Sequence, residues 1–144
     1  NENNESLTHT QDGRFVLVSK RTDVTAGVYS LPMFVDGAVA ESHGQITTLG
    51  EPPQGEPAVP APVTSAALWP DDGLLLVRTY LGTISFTLPT GIDGVDGVAL
   101  TPVAAPPLEH DEAIAVDVVR DGYWTVPEAH PEEGSPIWFV PCVR

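Results

Sequence analysis

Glu5 and Glu112 are the residues whose placement most suggests chemistry. Each heads a short run of small, β-branched or apolar residues, Glu5 to Thr10 and Glu112 to Val119, at the same point of a repeated pattern. Carboxylates delivered to one place by equivalent strands would hold a hard cation such as Ca2+, or raise one another's pKa. A plainer role is equally open to them: accepting backbone N–H groups where the chain enters a sheet. Lys20, Arg78 and Glu128 close the runs that follow, and Tyr80 lies just beyond Arg78. A basic pair beside carboxylates suits an anionic or hydroxylated ligand, because a guanidinium engages carboxylate or phosphate through two parallel hydrogen bonds. Surface ion pairing would use the same residues. The candidate ligand-binding set is therefore Glu5, Lys20, Arg78, Tyr80, Glu112 and Glu128. Glu5 and Glu112 are the candidate metal ligands, with Ca2+ as the cofactor they would suit, and no catalytic residue is assigned.

The usual enzyme signatures are missing from the chain. It contains no G-x-S-x-G, H-E-x-x-H, P-loop, dinucleotide-binding glycine pattern or EF-hand loop. GIDGVDG at 91–97 has a faint likeness to a calcium loop, but it lacks the alternating oxygen ligands and closing Glu, so it reads as a turn. His43, His110 and His130 fall in loop-like sequence and His9 in a strand, none with ligand spacing. Trp69, Trp124 and Trp138 lie in or beside strand-like runs and are expected to pack sheet against sheet. The single cysteine, Cys142, excludes an intrachain disulfide and a thiolate cluster, and reads as a half-buried thiol finishing a strand.

Twenty acidic residues against six basic ones give a net charge of -14, which cannot neutralise a row of phosphates and excludes nucleic-acid binding. Thirteen glycines and fifteen prolines among 144 residues disfavour long helices. The 42% hydrophobic content is enough for a core, and no apolar run is long enough to span a membrane. The first ten residues carry neither the basic nor the apolar part of a signal peptide, so a soluble protein or the mature part of an exported one is expected. One lysine among so many carboxylates fits a salt-tolerant or extracytoplasmic protein, and equally the drift of a high-GC genome.

Positioning these residues falls to an internal repeat. Asp12-Gly13, Asp72-Gly73 and Asp121-Gly122 each precede a short apolar run, and each run is followed by an aromatic-to-proline segment: Tyr29 to Pro32, Phe86 to Pro89 and Trp138 to Pro141. A turn dipeptide feeding an apolar run marks a hairpin. Runs at Glu5 to Thr10, Val63 to Leu68 and Glu112 to Val119 precede the turns, and runs at Gln45 to Leu49 and Val98 to Val103 follow the first two prolines. Each repeat thus reads as four strands, and fixed-period four-stranded units are the blades of a β-propeller. The expected fold is all-β, with blades at about 1–57, 58–107 and 108–144, the last incomplete. An open set of blades leaves apolar faces uncovered, so the chain is expected to be half of a ring of about six blades. The other half would come from another chain, a removed segment or a second copy. The Pro-rich stretches at 50–62 and 101–110 read as loops between blades.

The order DGRFVLVSK at 12–20, VTSAAL at 63–68, LLLVRTY at 74–80, DEAIAV at 111–116 and SPIWFVP at 135–141 resembles the C-terminal half of a family of secreted, actinobacterial-type β-propeller proteins. These are WD40-like, with looser similarity to esterase-like and phytase-like propellers. The resemblance implies export and a site in the central funnel shared with an N-terminal half. It implies no particular catalytic activity, and three functions stay open: a scaffold binding a ligand or protein, a hydrolase of phosphate or other esters with Ca2+ held by the candidate carboxylates, and a structural subunit of a larger assembly.

Overall fold

The computed structural model describes residues 3–20, 24–50, 59–71, 73–103, 111–127, 134 and 136–142. All regular structure among them is β. In chain order the strands are β1 (Asn3–His9), β2 (Phe15–Lys20), β3 (Thr25–Leu31), β4 (Glu41–Thr47), β5 (Leu49–Gly50), β6 (Val59–Pro60), β7 (Val63–Leu68), β8 (Leu74–Thr79), β9 (Gly82–Thr87), β10 (Pro89–Ile92), β11 (Leu100–Val103), β12 (Asp111–Asp117), β13 (Gly122–Pro127) and β14 (Trp138–Pro141).

They form three open antiparallel sheets. The first has the order β1-β2-β3-β4, the second β7-β8-β9-β11, and the third β12-β13-β14. The sequence repeat is visible in this 4/4/3 pattern. β4 begins four residues before the expected run, because Glu41 to Gly44 extend the ladder with β3. The Pro-rich stretch supplies a short extra pair, β5 with β6.

Each first hairpin turns on an aspartate. A carboxylate that accepts nearby backbone N–H groups pre-forms such a turn. The capping carboxylates are Asp12 for Arg14, Asp71 for Gly73, and Asp117 for Val119 and Arg120. Among the described residues, the capping carboxylate is the aspartate of the Asp-Gly dipeptide in the first repeat alone. Asp121 instead adopts φ 52°, a left-handed conformation that Asp tolerates better than most residues, and Asp72 lies outside the described residues.

The first strands carry the same irregularity. Pairing with the second strand slips at Glu5 in β1, at Thr64 in β7 and at Glu112 in β12, so each is the extra residue of a β-bulge. With the bulges aligned, the alternation of side chains gives every sheet two equivalent faces. Val16 and Val18 of the first sheet pack on Ala66, Leu68, Leu75 and Val77 of the second. The second sheet's opposite face, with Ala67 and Leu76, packs on Ile114 and Tyr123 of the third. Val16 aligns with Leu76, and Leu75 with Tyr123. The sheets therefore stack front to back, in one sense. β7 lies beside both β1 and β12. A hydroxyl marks each contact: Thr8 Oγ1 accepts Leu68 N–H at 3.1 Å, and Ser65 Oγ accepts Ile114 N–H at 3.3 Å.

Candidate functional site

The bulges lie at the end of the sheets where first strands begin and second strands finish. Asn3 pairs with Lys20, Val63 with Thr79, and Asp111 with Pro127. Glu5 and Glu112 thus share a position, as expected, with Thr64 as the third member of the row. β7 stands between β1 and β12, so Thr64 separates the two glutamates. Glu112 is half-buried, and Glu5 is described for its backbone alone. Among the described residues no three His, Cys, Asp or Glu side chains gather around one point.

Lys20 and Tyr80 meet at this end although 60 residues separate them. Lys20 Nζ donates to the Tyr80 hydroxyl at 3.0 Å and sits 5.1 Å from the ring centroid, a hydrogen bond combined with a cation–π contact. Both are half-buried, which leaves part of each available to a ligand. Arg78 is different. It is only 1% exposed, on the second sheet's face towards the third, and its Nη1 donates to Thr83 Oγ1 at 2.6 Å. Its guanidinium lies inside the protein, so this member of the candidate ligand-binding set is not at the surface. Glu128 lies outside the described residues. Beyond Thr79 the chain turns tightly: the Thr79 hydroxyl donates to Gly82 C=O at 3.0 Å and accepts Leu81 N–H at 3.2 Å.

The opposite end holds a second polar cluster that the sequence did not reveal. Ser30 Oγ lies 2.7 Å from His43 Nε2, and His43 Nδ1 lies 3.1 Å from Asp93 Oδ1. A carboxylate accepts only, so His43 Nδ1–H donates to Asp93, and in that tautomer Nε2 accepts the hydrogen bond that the Ser30 hydroxyl donates. Asp93 also accepts Arg14 Nη1 at 3.3 Å, and Arg14 Nε reaches Asp12 at 3.1 Å. The Thr10 hydroxyl, followed by Arg14, holds Asp12 below the usual carboxylate range. Burial pulls the Arg14 pKa down, but Asp12 and Asp93 outweigh it and the net shift is upward. Asp96, three residues beyond Asp93, accepts Gln45 N–H at 3.1 Å.

The order hydroxyl, imidazole, carboxylate is that of a hydrolytic triad. Its setting is not. Ser30 is 1% exposed, on the face of the first sheet that packs against the second, so substrate has no route to the hydroxyl. The cluster is a clasp that fastens loop 91–97 of the second repeat to the first sheet. The register explains how the sequence builds it. His43 is the extra residue of a bulge in β4, opposite Val28 and Tyr29, and a bulge re-aims its side chain. Gly44 follows with φ +118°, and a Cβ there would stand 2.6 Å from Asp96 Cβ. A bulge, a glycine and a loop 50 residues away leave no local motif.

The tryptophans divide. Trp69 is buried, as sheet packing requires. Trp124 faces away from the second sheet, where its indole donates to Asp117 at 3.0 Å and Arg120 stacks over it at 5.1 Å. That indole, followed by the Arg120 N–H, lowers the Asp117 pKa. Trp138 is exposed. Cys142 is half-buried beside the second core, as its sequence setting suggested.

No protein-family model matches this chain, and no curated protein matches it. No helix among the described residues is long and apolar enough to cross a membrane.

Proposed function

We propose that the chain is a segment of an exported β-propeller that serves as a binding scaffold, with the bulged ends of its first strands as the recognition surface. The observation that carries this reading is the recurrence of one bulge, at Glu5, Thr64 and Glu112, in three first strands that lie side by side. Front-to-back stacking of like sheets around adjacent first strands is the arrangement propeller blades adopt, and their shared end is where such folds bind. Bulges concentrate at binding sites because they turn side chains out of the ladder. Lys20, Tyr80 and Glu112 supply a cation, a hydroxyl-bearing ring and a carboxylate there, a set suited to a polar ligand or a peptide.

Amide chemical-shift mapping with Ca2+ alone and with inorganic phosphate alone tests the surface. The reading predicts that at least one ion moves amides around 4–6, 18–20, 63–65, 79–81 and 111–113. Movement confined to the clasp around Asp12 and Asp93, or none with either ion, would contradict it. A Ca2+-dependent esterase requires Ca2+ to act at Glu112, so a Ca2+ response lost in Glu112→Gln is the result that would favour that alternative.

A further inference from the structure

The chain contains six Asp-Gly dipeptides, at 12–13, 36–37, 72–73, 93–94, 96–97 and 121–122. An aspartyl carboxyl beside a glycine is a latent electrophile, because the glycine nitrogen can close a five-membered ring on it and no Cβ shields that nitrogen. The fold restrains four of the six. Asp12 accepts Arg14 Nε at 3.1 Å and is held below the usual carboxylate range, in the ionised form that a nitrogen attacks least readily, while Gly13 N–H donates to Thr10 C=O at 3.0 Å. Asp93 is gripped by His43 and Arg14, and Gly94 N–H donates to Gly91 C=O at 3.2 Å. Asp96 accepts Gln45 N–H at 3.1 Å and packs against Gly44. Gly122 is fixed in the ladder of β13, between Asp117 and Pro141. Asp72 lies outside the described residues.

Asp36-Gly37 is placed differently. It occupies the tip of the connection between β3 and β4, in a turn closed by Ala38 N–H donating to Val35 C=O at 3.1 Å. Gly37 has φ +79°, which reserves the third position of such a turn for glycine. Both residues are exposed, and the flanking Val35 and Val39 are 55% and 87% exposed. Apart from its chain neighbours, no atom of the described residues stands within 4 Å of where a Gly37 Cβ would be. Breaking the closing bond lets the Asp36 backbone rotate and bring Gly37 N onto its own Cγ.

We propose that Asp36 is a modification site of the folded protein, where the carboxyl condenses with the Gly37 amide to a succinimide that water opens to isoaspartate. Gly37 N bonds to Asp36 Cγ, and the carboxyl hydroxyl leaves with the amide proton as water. Water then adds to the ring. Addition at Cγ restores aspartate, whereas addition at the backbone carbonyl breaks its bond to Gly37 N, so that the chain runs on through the side chain. The water released in the first step balances the water consumed in the second. The product lengthens the backbone of the turn by one carbon and spoils the register of its closing bond. This site lies at the end of the sheets opposite the bulges and is independent of the binding reading.

Mass spectrometry with electron-transfer fragmentation, which tells isoaspartate from aspartate, tests this on the whole chain aged at neutral pH, once folded and once in urea. Each site's rate in the folded chain is read as a fraction of its rate in urea, where local chemistry alone acts. Asp36 is expected to keep most of its urea rate, while Asp12, Asp93, Asp96 and Asp121 fall by at least about tenfold, since an exposed turn opens far more readily than a sheet or the clasp. Asp36→Glu, which would need a six-membered ring, should remove the signal at 36 and leave the other sites as they were. Amide shifts of the aged wild type should move within 33–39. An Asp36 that stays intact over the time in which the urea sample isomerises overturns the proposal. So does a folded chain in which Asp12, Asp93, Asp96 or Asp121 keeps as large a fraction of its urea rate as Asp36.

Discussion

The two junctions between the sheets share a geometry and differ in substance. Among the described residues, the first encloses fifteen buried apolar residues, from Val16 and Val18 to Phe86 and Val95, and is fastened at both ends: by Lys20 on Tyr80, and by the clasp of Ser30, His43, Asp93 and Arg14. Among the same described residues the second encloses five, Ala67, Leu76, Ile114, Tyr123 and Val140. Its face of the second sheet also includes Arg78, where the aligned residue of the first sheet is Val18. Burying a guanidinium costs desolvation that a valine does not incur. The repeat fixes how sheets stack, while the side chains at each junction decide how firmly.

Leu75 and Leu76 test this contrast directly, since neighbours in β8 face opposite junctions and both are almost fully buried. Leu75→Ala is expected to cost about 3–5 kcal/mol, and Leu76→Ala about 2–3 kcal/mol because the smaller core leaves a smaller unfilled cavity. Urea unfolding measures both. Equal losses would break the comparison. Native-state hydrogen exchange sharpens it further: amides of β12 and β13 should open at lower free energy than those of β2 and β8.

Next in size is the clasp. Gly44→Ala puts a Cβ against Asp96 at a backbone conformation L residues rarely adopt, with an expected loss of about 1–3 kcal/mol. Its exchange signature should stay within β3, β4 and 91–97. Spread into the third sheet would mean that the junctions are coupled.

Acid acts on both hairpins that carry a lowered aspartate. The Asp12 and Asp117 pKa values are depressed in the folded state, so each contributes stability above the unfolded carboxylate value and loses it as pH falls through the folded one. Stability should therefore drop below about pH 4. Asp12→Asn and Asp117→Asn should each flatten that drop, and only Asp117→Asn should also change the fluorescence titration of Trp124. A drop unchanged in both variants would contradict the assignment. The smallest effect is expected from Tyr80→Phe, which removes the hydroxyl partner of Lys20 but keeps the ring: about 1 kcal/mol or less.

Strand order was legible because turn dipeptides, β-branched runs and aromatic-to-proline segments recur in register with the chain. β7 matches its expected run residue for residue, and the shared position of Glu5 and Glu112 was visible from the same repeat. The clasp was not legible: it joins Ser30, His43 and Asp93 from two repeats through a bulge, and bulges leave no residue-type signature. Arg78 shows a second limit. Its place at the end of a second strand was clear, but the unbroken alternation of β8 puts its side chain on the Leu76 face, between the second and third sheets. The capping carboxylates show a third, since only hydrogen bonds distinguish Asp71 and Asp117 from the Asp-Gly aspartates.

Methyl and amide nuclear Overhauser contacts test the front-to-back stacking most directly. The stacking predicts contacts from Val16 and Val18 to Leu75 and Val77, from Leu76 to Ile114 and Tyr123, and from the Leu68 and Ile114 amides to Thr8 and Ser65 respectively. Contacts from Val16 or Val18 to Leu76, or from the Thr8 side chain directly to β12, would mean that the sheets pack in another sense and would contradict it.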